Sequence, residues 1–345
     1  MNELSEQEMA GLLRPLSPFY YWPNNGNLGD LLIAEATRQW FERQGLAYKE
    51  FDAGALPEDS RYNLVYGGGG RFTNHWPGVD EIARHLTAPQ VRRCVILPHS
   101  LYRVDAFVRS LDERHTIICR EKKSFEYCCG LSPRASVELG NDMALLADVG
   151  AFSAEARSGD SAEAQNLYAF LQGGAAARMA RMVKNATIQA PVSNRSCKVA
   201  FILRTDKEKN TRFASEFSYD ISMAWNSSCR YTPGNSALMR AFADAMSYPD
   251  VVVTDRLHVG IISTLLGKQV FLLDNDYGKL GGVYLQSLSQ MPSVHLLEDG
   301  RFTPELERAW RRLNSPARLL RLRAGKARRR VVGKLKNVAM RQFRR

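Results

Sequence analysis

The chain has 345 residues, 45% of them hydrophobic, with 47 Lys and Arg against 36 Asp and Glu, a formal charge of +11. That length suggests two domains rather than one, and no run approaches the roughly 20 apolar residues of a membrane-spanning helix. The charge is uneven: Arg308 to Arg345 holds fifteen bases and no acid, while residues 1–307 hold 32 bases against 36 acids, a net of −4. Whatever the positive charge does, it does at the C-terminus. The six cysteines (Cys94, Cys119, Cys128, Cys129, Cys197, Cys229) show no metal-ligand spacing and read as reduced thiols of a cytoplasmic protein. The first residues, MNELSEQEMAGLL, are acidic and lack a basic-then-apolar signal pattern, so the protein is expected to stay in the compartment where it is made.

Taken in order, Phe19–Trp22 reads as a strand, then the loop Pro23 to Gly29, then a helix from Asp30 to about Gln44 with Gly45 as its stop. Asn63–Tyr66 is a strand ending in Gly67 to Gly70. Cys94–Leu97 opens onto Pro98, His99 and Ser100, Thr116–Cys119 leads to Arg120, and Ser136–Leu139 runs toward Asn141 and Asp142. Strand, polar or glycine turn, helix, repeated, is the pattern of a doubly wound α/β sheet. Residues 150–196 break the rhythm with an Ala-, Gly- and Ser-rich stretch containing the helical patterns AEAQNLYAFLQ and AAARMARMVKNA. A boundary is placed there, with junction helices or a flexible linker as the alternatives. The expected units are therefore 15–150, a junction at 151–196, a second α/β unit at 197–304, and a basic amphipathic tail at 305–345. The second unit opens with a strand from Lys198 to Leu203. A candidate strand at Phe217–Ser222, a helix at Ser236–Met246 and a closing strand at Val294–Leu297 follow.

The stretch Val251 to Tyr284 organises that second unit. Val251–Val253 is a short buried strand, Val259–Leu266 a mostly buried helix ended by Gly267, and Val270–Leu273 a second strand. This is one βαβ unit, whose strands must run parallel. Asp255, Arg256 and His258 then sit where strand hands over to helix, the edge at which open parallel sheets bind ligands and free N–H groups attract anions. Asp274, Asp276, Tyr277, Lys279, Gly281 and Gly282 follow the second strand on the same edge. Arg256, His258 and Lys279 are expected to converge on one anionic group. Taken singly, each has a plainer reading: Asp255 as a helix cap, Arg256 as the partner of an acid elsewhere, His258 as a half-buried core histidine.

Two more loops stand at strand ends. Asn24-x-Gly-x-x-Gly29-Asp30 has the glycines that let backbone approach an oxygen or anion closely, and Asp30 either caps the helix or binds a sugar hydroxyl. Gly67 to Gly70 needs its bare backbone for a tight turn or for a ligand passing over it. GxGxxG, GxSxG, HExxH and Walker sequences are absent, which leaves dinucleotide, serine-hydrolase, zinc-protease and P-loop readings without support.

In order along the chain stand Asn24-Asn25-Gly26-Asn27-Leu28-Gly29-Asp30, Gly67 to Gly70, Leu97-Pro98-His99-Ser100, Arg120-Glu121 with Ser124, Asn141-Asp142, Arg204-Thr205-Asp206 with Glu208, and Thr254-Asp255-Arg256-Leu257-His258. This series, covering about residues 20 to 285 and anchored by Asp-Arg-Leu-His, resembles the polysaccharide pyruvyl transferase family. Many members carry Gln where His99 stands. The resemblance implies two Rossmann-like doubly wound domains facing across a cleft, as in GT-B glycosyltransferases. It implies phosphoenolpyruvate as donor, a sugar as acceptor, and a pyruvate ketal bridging two sugar hydroxyls as product. It also places the donor on the C-terminal half, near Arg204, Arg256 and His258.

Those residue types suit that chemistry. A phosphate and a carboxylate need at least two cations or helix N-termini, and the arginine fork serves both. Arg204, Arg256, His258 and Lys279 are thus the expected donor site. His258 is the expected general acid, since the enol carbon must be protonated to make C2 electrophilic. Asn24, Asp30, Gly68 and Gly69 are expected to hold the acceptor, an exopolysaccharide or cell-surface glycan precursor, free or lipid-linked. No metal or other cofactor is required. The alternatives are a GT-B glycosyltransferase using a nucleotide sugar, and a nucleic-acid-binding protein acting through the basic tail. Against the latter, the body is net acidic and lacks basic–aromatic interleaving at its ligand edges. In the tail, Trp310, Leu313, Leu319, Leu320, Leu322, Val331, Val332, Leu335, Met340 and Phe343 are interspersed among the bases. That pattern predicts a peripheral anchor on an anionic membrane surface.

Overall fold

The computed structural model describes residues 3–51, 61–152, 173–174, 176–183, 187–189, 196–206, 218–274, 278–297, 300–317 and 320. Two sheets carry the fold. The first contains β1 (Phe19–Trp22), β3 (Tyr48–Glu50), β4 (Tyr62–Tyr66), β5 (Val91–His99), β6 (His115–Cys119) and β7 (Ser136–Leu139). Its order is β3-β1-β4-β5-β6-β7 and every pairing is parallel. The order reverses between β1 and β4, and such a switch point opens a crevice at the carboxyl ends of the strands. A two-residue strand, β2 (Gly26–Asn27), stands apart from this sheet.

The second sheet contains β8 (Thr187–Gln189), β9 (Ser196–Ile202), β11 (Val251–Thr254), β12 (Gln269–Leu273) and β13 (Val294–Leu297), in the order β13-β12-β11-β9-β8. Only β8 is antiparallel. Its central strands are apolar on both faces. Ala200, Ile202 and Val252 join one core cluster, while Val199, Phe201, Val251 and Val253 join another. Near-continuous apolar runs of this kind mark parallel strands covered on both sides.

The helices are α1 (Glu6–Leu13), α2 (Leu28–Arg43), α3 (Val79–Leu86), α4 (Asp105–Ser110), α5 (Lys122–Gly130), α6 (Ala176–Val183), α7 (Gly234–Ser247), α8 (Leu257–Leu265), α9 (Lys279–Val283) and α10 (Pro304–Leu313). Helix α2 starts two residues before Asp30, because Asn27 is its cap. The Asn27 side chain accepts from Gly29 N at 2.8 Å and the Asp30 carboxylate accepts from Asn27 N at 2.9 Å, a capping box. Twelve of the sixteen residues of α2 are buried, more than one stripe, because α2 is packed between the two halves. One core cluster takes Leu31, Trp40 and Phe41 of α2 together with Leu238 and Phe242 of α7, Val259 and Ile262 of α8, and Met179 and Val183 of α6. The apolar core is therefore continuous beneath both sheets.

Two expectations change, and several others fall outside what the structure describes. The strand at Phe217–Ser222 does not form where it is described: Tyr219 and Asp220 are irregular and Ile221–Ala224 is a 3-10 turn. The helical pattern AEAQNLYAFLQ, Glu208, Asp276, Tyr277 and the tail from Arg321 onward lie outside the described residues. The tail also begins later than residue 305. Helix α10 is capped by Thr303 and lays Leu306, Ala309 and Leu313 into the core of the second sheet. The Trp310 ring sits 4.9 Å from that of Phe201, so Trp310 and Leu313 are occupied by the sheet. Among the described residues, no helix is long and apolar enough to cross a membrane.

Candidate active site

The carboxyl ends of both sheets meet at a cavity of about 180 Å³. Its wall includes Asn24, Asp30, Arg204, Arg256, His258 and Lys279, so six of the residues singled out from the sequence come together. The two halves are stitched there by an antiparallel ladder between β2 and β10 (Asn226–Ser227), which carries the Asn25–Asn27 loop across. The wall also holds Arg71, Trp76, Arg120, Asp206, Met223 and Asn226, none of which the sequence marked as contacts. Five cations (Arg71, Arg120, Arg204, Arg256, Lys279) face two carboxylates (Asp30, Asp206) in that lining, a balance suited to an anion.

Gly68 and Gly69 do not reach the cavity, which corrects their expected role. A Cβ on Gly68 would meet Pro98 O at 2.8 Å, and one on Gly69, at φ +144°, would meet Asn24 Nδ2 at 2.7 Å. These glycines let the loop pack against its neighbours. Gly70 is the one at the wall: a Cβ there would lie 2.5 Å from Lys279 Nζ and 3.0 Å from Arg120 Nη2.

On the C-terminal side the turn after β11 is fixed by its own polar groups. Thr254 Oγ1 donates to Ile202 O at 2.6 Å and accepts from Arg256 N at 3.0 Å. The residue at the cap of α8 is Arg256, with no side-chain cap hydrogen bond, so Asp255 is not the helix cap. Its carboxylate instead accepts from Arg204 N at 2.7 Å and ties the ends of β9 and β11 together. Arg204 and Arg256 are both held by acids. Arg204 Nε and Nη2 donate to Asp206 at 2.8 and 3.0 Å. Arg256 Nε and Nη2 donate to Asp220 at 2.9 and 2.5 Å, and Nη2 lies 2.8 Å from Asp206 Oδ2. Fork geometry of this sort fixes both guanidinium planes at the wall.

On the N-terminal side Arg120 is fully buried. Its Nε donates to Ser100 Oγ at 2.8 Å and its Nη1 to Asp142 Oδ2 at 2.6 Å. Its Nη2 has no hydrogen-bond partner and lies beside Gly70 and Lys279. A buried guanidinium N–H without a partner is costly, and here it is at the cavity wall. The sequence signal was Arg120 directly after the buried strand β6. Burial would push the Asp142 carboxyl up, but Arg120 and His258 outweigh it and hold Asp142 well below the usual carboxylate range. His258 Nε2 lies 3.5 Å from Asp142 Oδ2, a charge contact rather than a hydrogen bond. The other side of the imidazole abuts Gly29, where a Cβ would fall 2.5 Å from Nδ1. His99 is not at the wall. It is buried between Tyr66 and Phe72, with ring centroids 5.6 and 4.5 Å away, and burial together with Arg120 pushes it down to about 3.

Three comparisons bear on this geometry. The profile of the family described as polysaccharide pyruvyl transferase matches residues 27–277. The Bacillus subtilis (strain 168) protein named "Putative pyruvyl transferase EpsO" is 24% identical, over 85% of this chain and 93% of that protein. The crystal structure of the functionally uncharacterised protein KP1_0663 from Klebsiella pneumoniae superposes with a TM-score of 0.63 at 24% identity, covering 86% of this chain and 99% of that one. That likeness bears on the fold alone.

Proposed function

Because the chain belongs to the polysaccharide pyruvyl transferase family, we propose that it transfers the pyruvyl group of phosphoenolpyruvate onto two hydroxyls of a sugar in an exopolysaccharide or cell-surface glycan precursor, forming a ketal. The observation that carries this reading is Arg120 Nη2, buried and unpartnered beside Lys279, on the same cavity wall as His258. The donor is a trianion at neutral pH. Its phosphate and carboxylate would take Arg120 Nη2, Lys279 and the guanidinium groups of Arg204 and Arg256 at the wall. The two sheets serve as the halves of a GT-B-like arrangement, with Asn24 and Asp30 on the acceptor side.

The steps balance without a further reactant. His258 gives a proton to C3 of the enol as a sugar hydroxyl adds to C2, and the hydroxyl proton resets the imidazole. The second hydroxyl then displaces phosphate from C2, its proton leaving with the phosphate. The positioned acid contributes about 10²–10⁴-fold in rate. Donor trials decide between this and a nucleotide-sugar glycosyltransferase. Purified protein should release phosphate from phosphoenolpyruvate only when an acceptor glycan is added, and His258→Ala should lower that rate about 10²–10⁴-fold with the fold intact. Consumption of a nucleotide sugar instead, or turnover spared by His258→Ala, would sink the proposal.

The reaction would be cytoplasmic, at the inner face of the membrane, with the basic tail as a peripheral anchor. No nucleic acid partner is proposed.

A further inference from the structure

We propose that Asp142 is the positioning residue for His258: it holds the imidazole by Nε2 and leaves Nδ1 as the nitrogen that exchanges a proton with the bound substrate. This rests on the reading above, in which His258 is the acid.

Asp142 is 1% exposed and sits at the turn after β7, at the head of a 3-10 turn, Met143–Leu146. Each of its oxygens is committed. Oδ1 accepts from Ala144 N at 2.9 Å, and Oδ2 accepts from Arg120 Nη1 at 2.6 Å while facing His258 Nε2 at 3.5 Å. Arg120 keeps the carboxylate ionised, so a permanent negative charge stands next to Nε2. A neutral imidazole beside such a charge carries its proton on the near nitrogen, since the partner of one ring nitrogen sets the state of the other. Nε2 is also shut off from solvent, so it is badly placed to reach a substrate. The ring is clamped from the N-terminal half on two sides, by Asp142 and by Gly29 of α2. Besides Asp142, the charged groups that line the cavity with the ring are Arg71 and Arg120 from the first half, Asp30 from α2, Arg204 and Asp206 after β9, the adjoining Arg256, and Lys279 of α9. The ion-pair contact with the ring is that of Asp142. Catalytic hydrogen bonds are often long before substrate binds and tighten in the complex, so the 3.5 Å separation is compatible with this role.

Asparagine is the informative replacement. Asp142→Asn has one acceptor oxygen where two are in use, so either Ala144 N or the Arg120 and His258 side loses its acceptor. With the amide nitrogen toward His258, the imidazole is driven to the opposite tautomer, with Nδ1 protonated when neutral and Nε2 as acceptor.

The test uses full-length protein labelled with ¹⁵N-histidine, whose six histidines include one signal lost in His258→Gln. That signal should show the neutral ring protonated on Nε2 in the native protein. Asp142→Asn should move the proton to Nδ1 and lower kcat about 10–100-fold or more, with a much smaller change in the donor KM. A native His258 protonated on Nδ1 overturns the inference even if Asp142→Asn does not fold. Full kcat in Asp142→Asn also overturns it. If His258→Gln itself turns over at the native rate, the acid assignment fails first. If His258→Gln is inactive and Asp142→Asn is not, only the role of Asp142 fails.

Discussion

A methyl group on Gly29 would fall 2.5 Å from Nδ1 of His258 and 2.9 Å from its Cβ and Cγ. The Cβ of His258 is fixed by α8, so the ring cannot simply swing aside. Gly29→Ala should therefore displace the imidazole, lowering kcat more than tenfold and stability by about 1–3 kcal/mol, the usual range for overpacking. Turnover and chemical unfolding of the purified variant check both; an unchanged kcat would mean the ring does no chemistry at that position. His99 makes a different prediction. It is buried and pushed down to about 3, whereas an unfolded histidine titrates near 6.5. Arg120 and Lys279 face it and oppose its charge, while Asp142 and the Leu97 carbonyl favour it, so burial decides. The unfolded chain then binds a proton that the folded one refuses. The stability this histidine allows is full above about pH 6.5 and falls as pH drops toward 3, by about 2 kcal/mol between pH 7 and pH 5. His99→Gln should lose that portion of the acid sensitivity in urea unfolding at the two pH values. Parallel losses in both proteins would show that His99 takes up its proton inside the fold.

Helix α10 shows what the sequence left hidden at the scale of elements. Its bases looked like the start of the tail, yet Leu306, Ala309 and Leu313 recur at helical spacing and are buried, while Arg308 and Arg311 point out to Glu305 and Glu307 at 2.8 Å each. Leu313→Ala should cost about 2–5 kcal/mol, as for other buried leucines, measured by urea unfolding. A loss near zero would put the helix off the sheet. The strands were more legible: Phe19–Trp22, Ser136–Leu139 and Val294–Leu297 form where apolar runs and turns put them. Helix α2 was legible in extent but not in its start, because the capping box spends Asp30 on Asn27 N and moves the cap upstream. At the site, Arg256, His258 and Lys279 could be read because they stand at strand ends within one βαβ unit. Arg120 and Asp142 could not be given roles, because their partners lie on strands and turns far apart in the chain, and only β5, β6 and β7 side by side unite them. Asp255 was misread because a carboxylate before a helix looks like a cap, whereas here it binds the neighbouring strand's Arg204 N.

The molecule as a whole is held by contacts that cross between its halves, in addition to the β2–β10 ladder at the cavity. Arg38 of α2 donates to Cys229 O at 2.7 Å, and Asn235 Nδ2 of α7 donates to Glu35 Oε1 at 3.1 Å, beneath a shared apolar core. That leaves the chain beyond α10 as the segment whose charge the body does not match. Once Arg308, Arg311 and Arg312 are assigned to α10, twelve of the fifteen bases remain from Arg318 to Arg345, with no acid. Each base near an anionic bilayer contributes on the order of 1 kcal/mol, within about a Debye length of the surface. Leu319, Leu322, Val331, Val332, Leu335, Met340 and Phe343 supply apolar surface along the same stretch. A truncation has to spare α10: a protein ending near Leu306 would strip Ala309, Trp310 and Leu313 from the second sheet and confuse unfolding with loss of binding. A protein ending at Ala317 keeps that core. Full-length protein should sediment with anionic vesicles at low salt, release as salt rises, and ignore neutral vesicles. The protein ending at Ala317 should stay in the supernatant, unfold at the same urea concentration, and still act on a lipid-free acceptor. Equal sedimentation of the two proteins would place any membrane contact on the folded body instead. Release of full-length protein by ribonuclease, with no response to vesicles, would mean that the tail binds RNA.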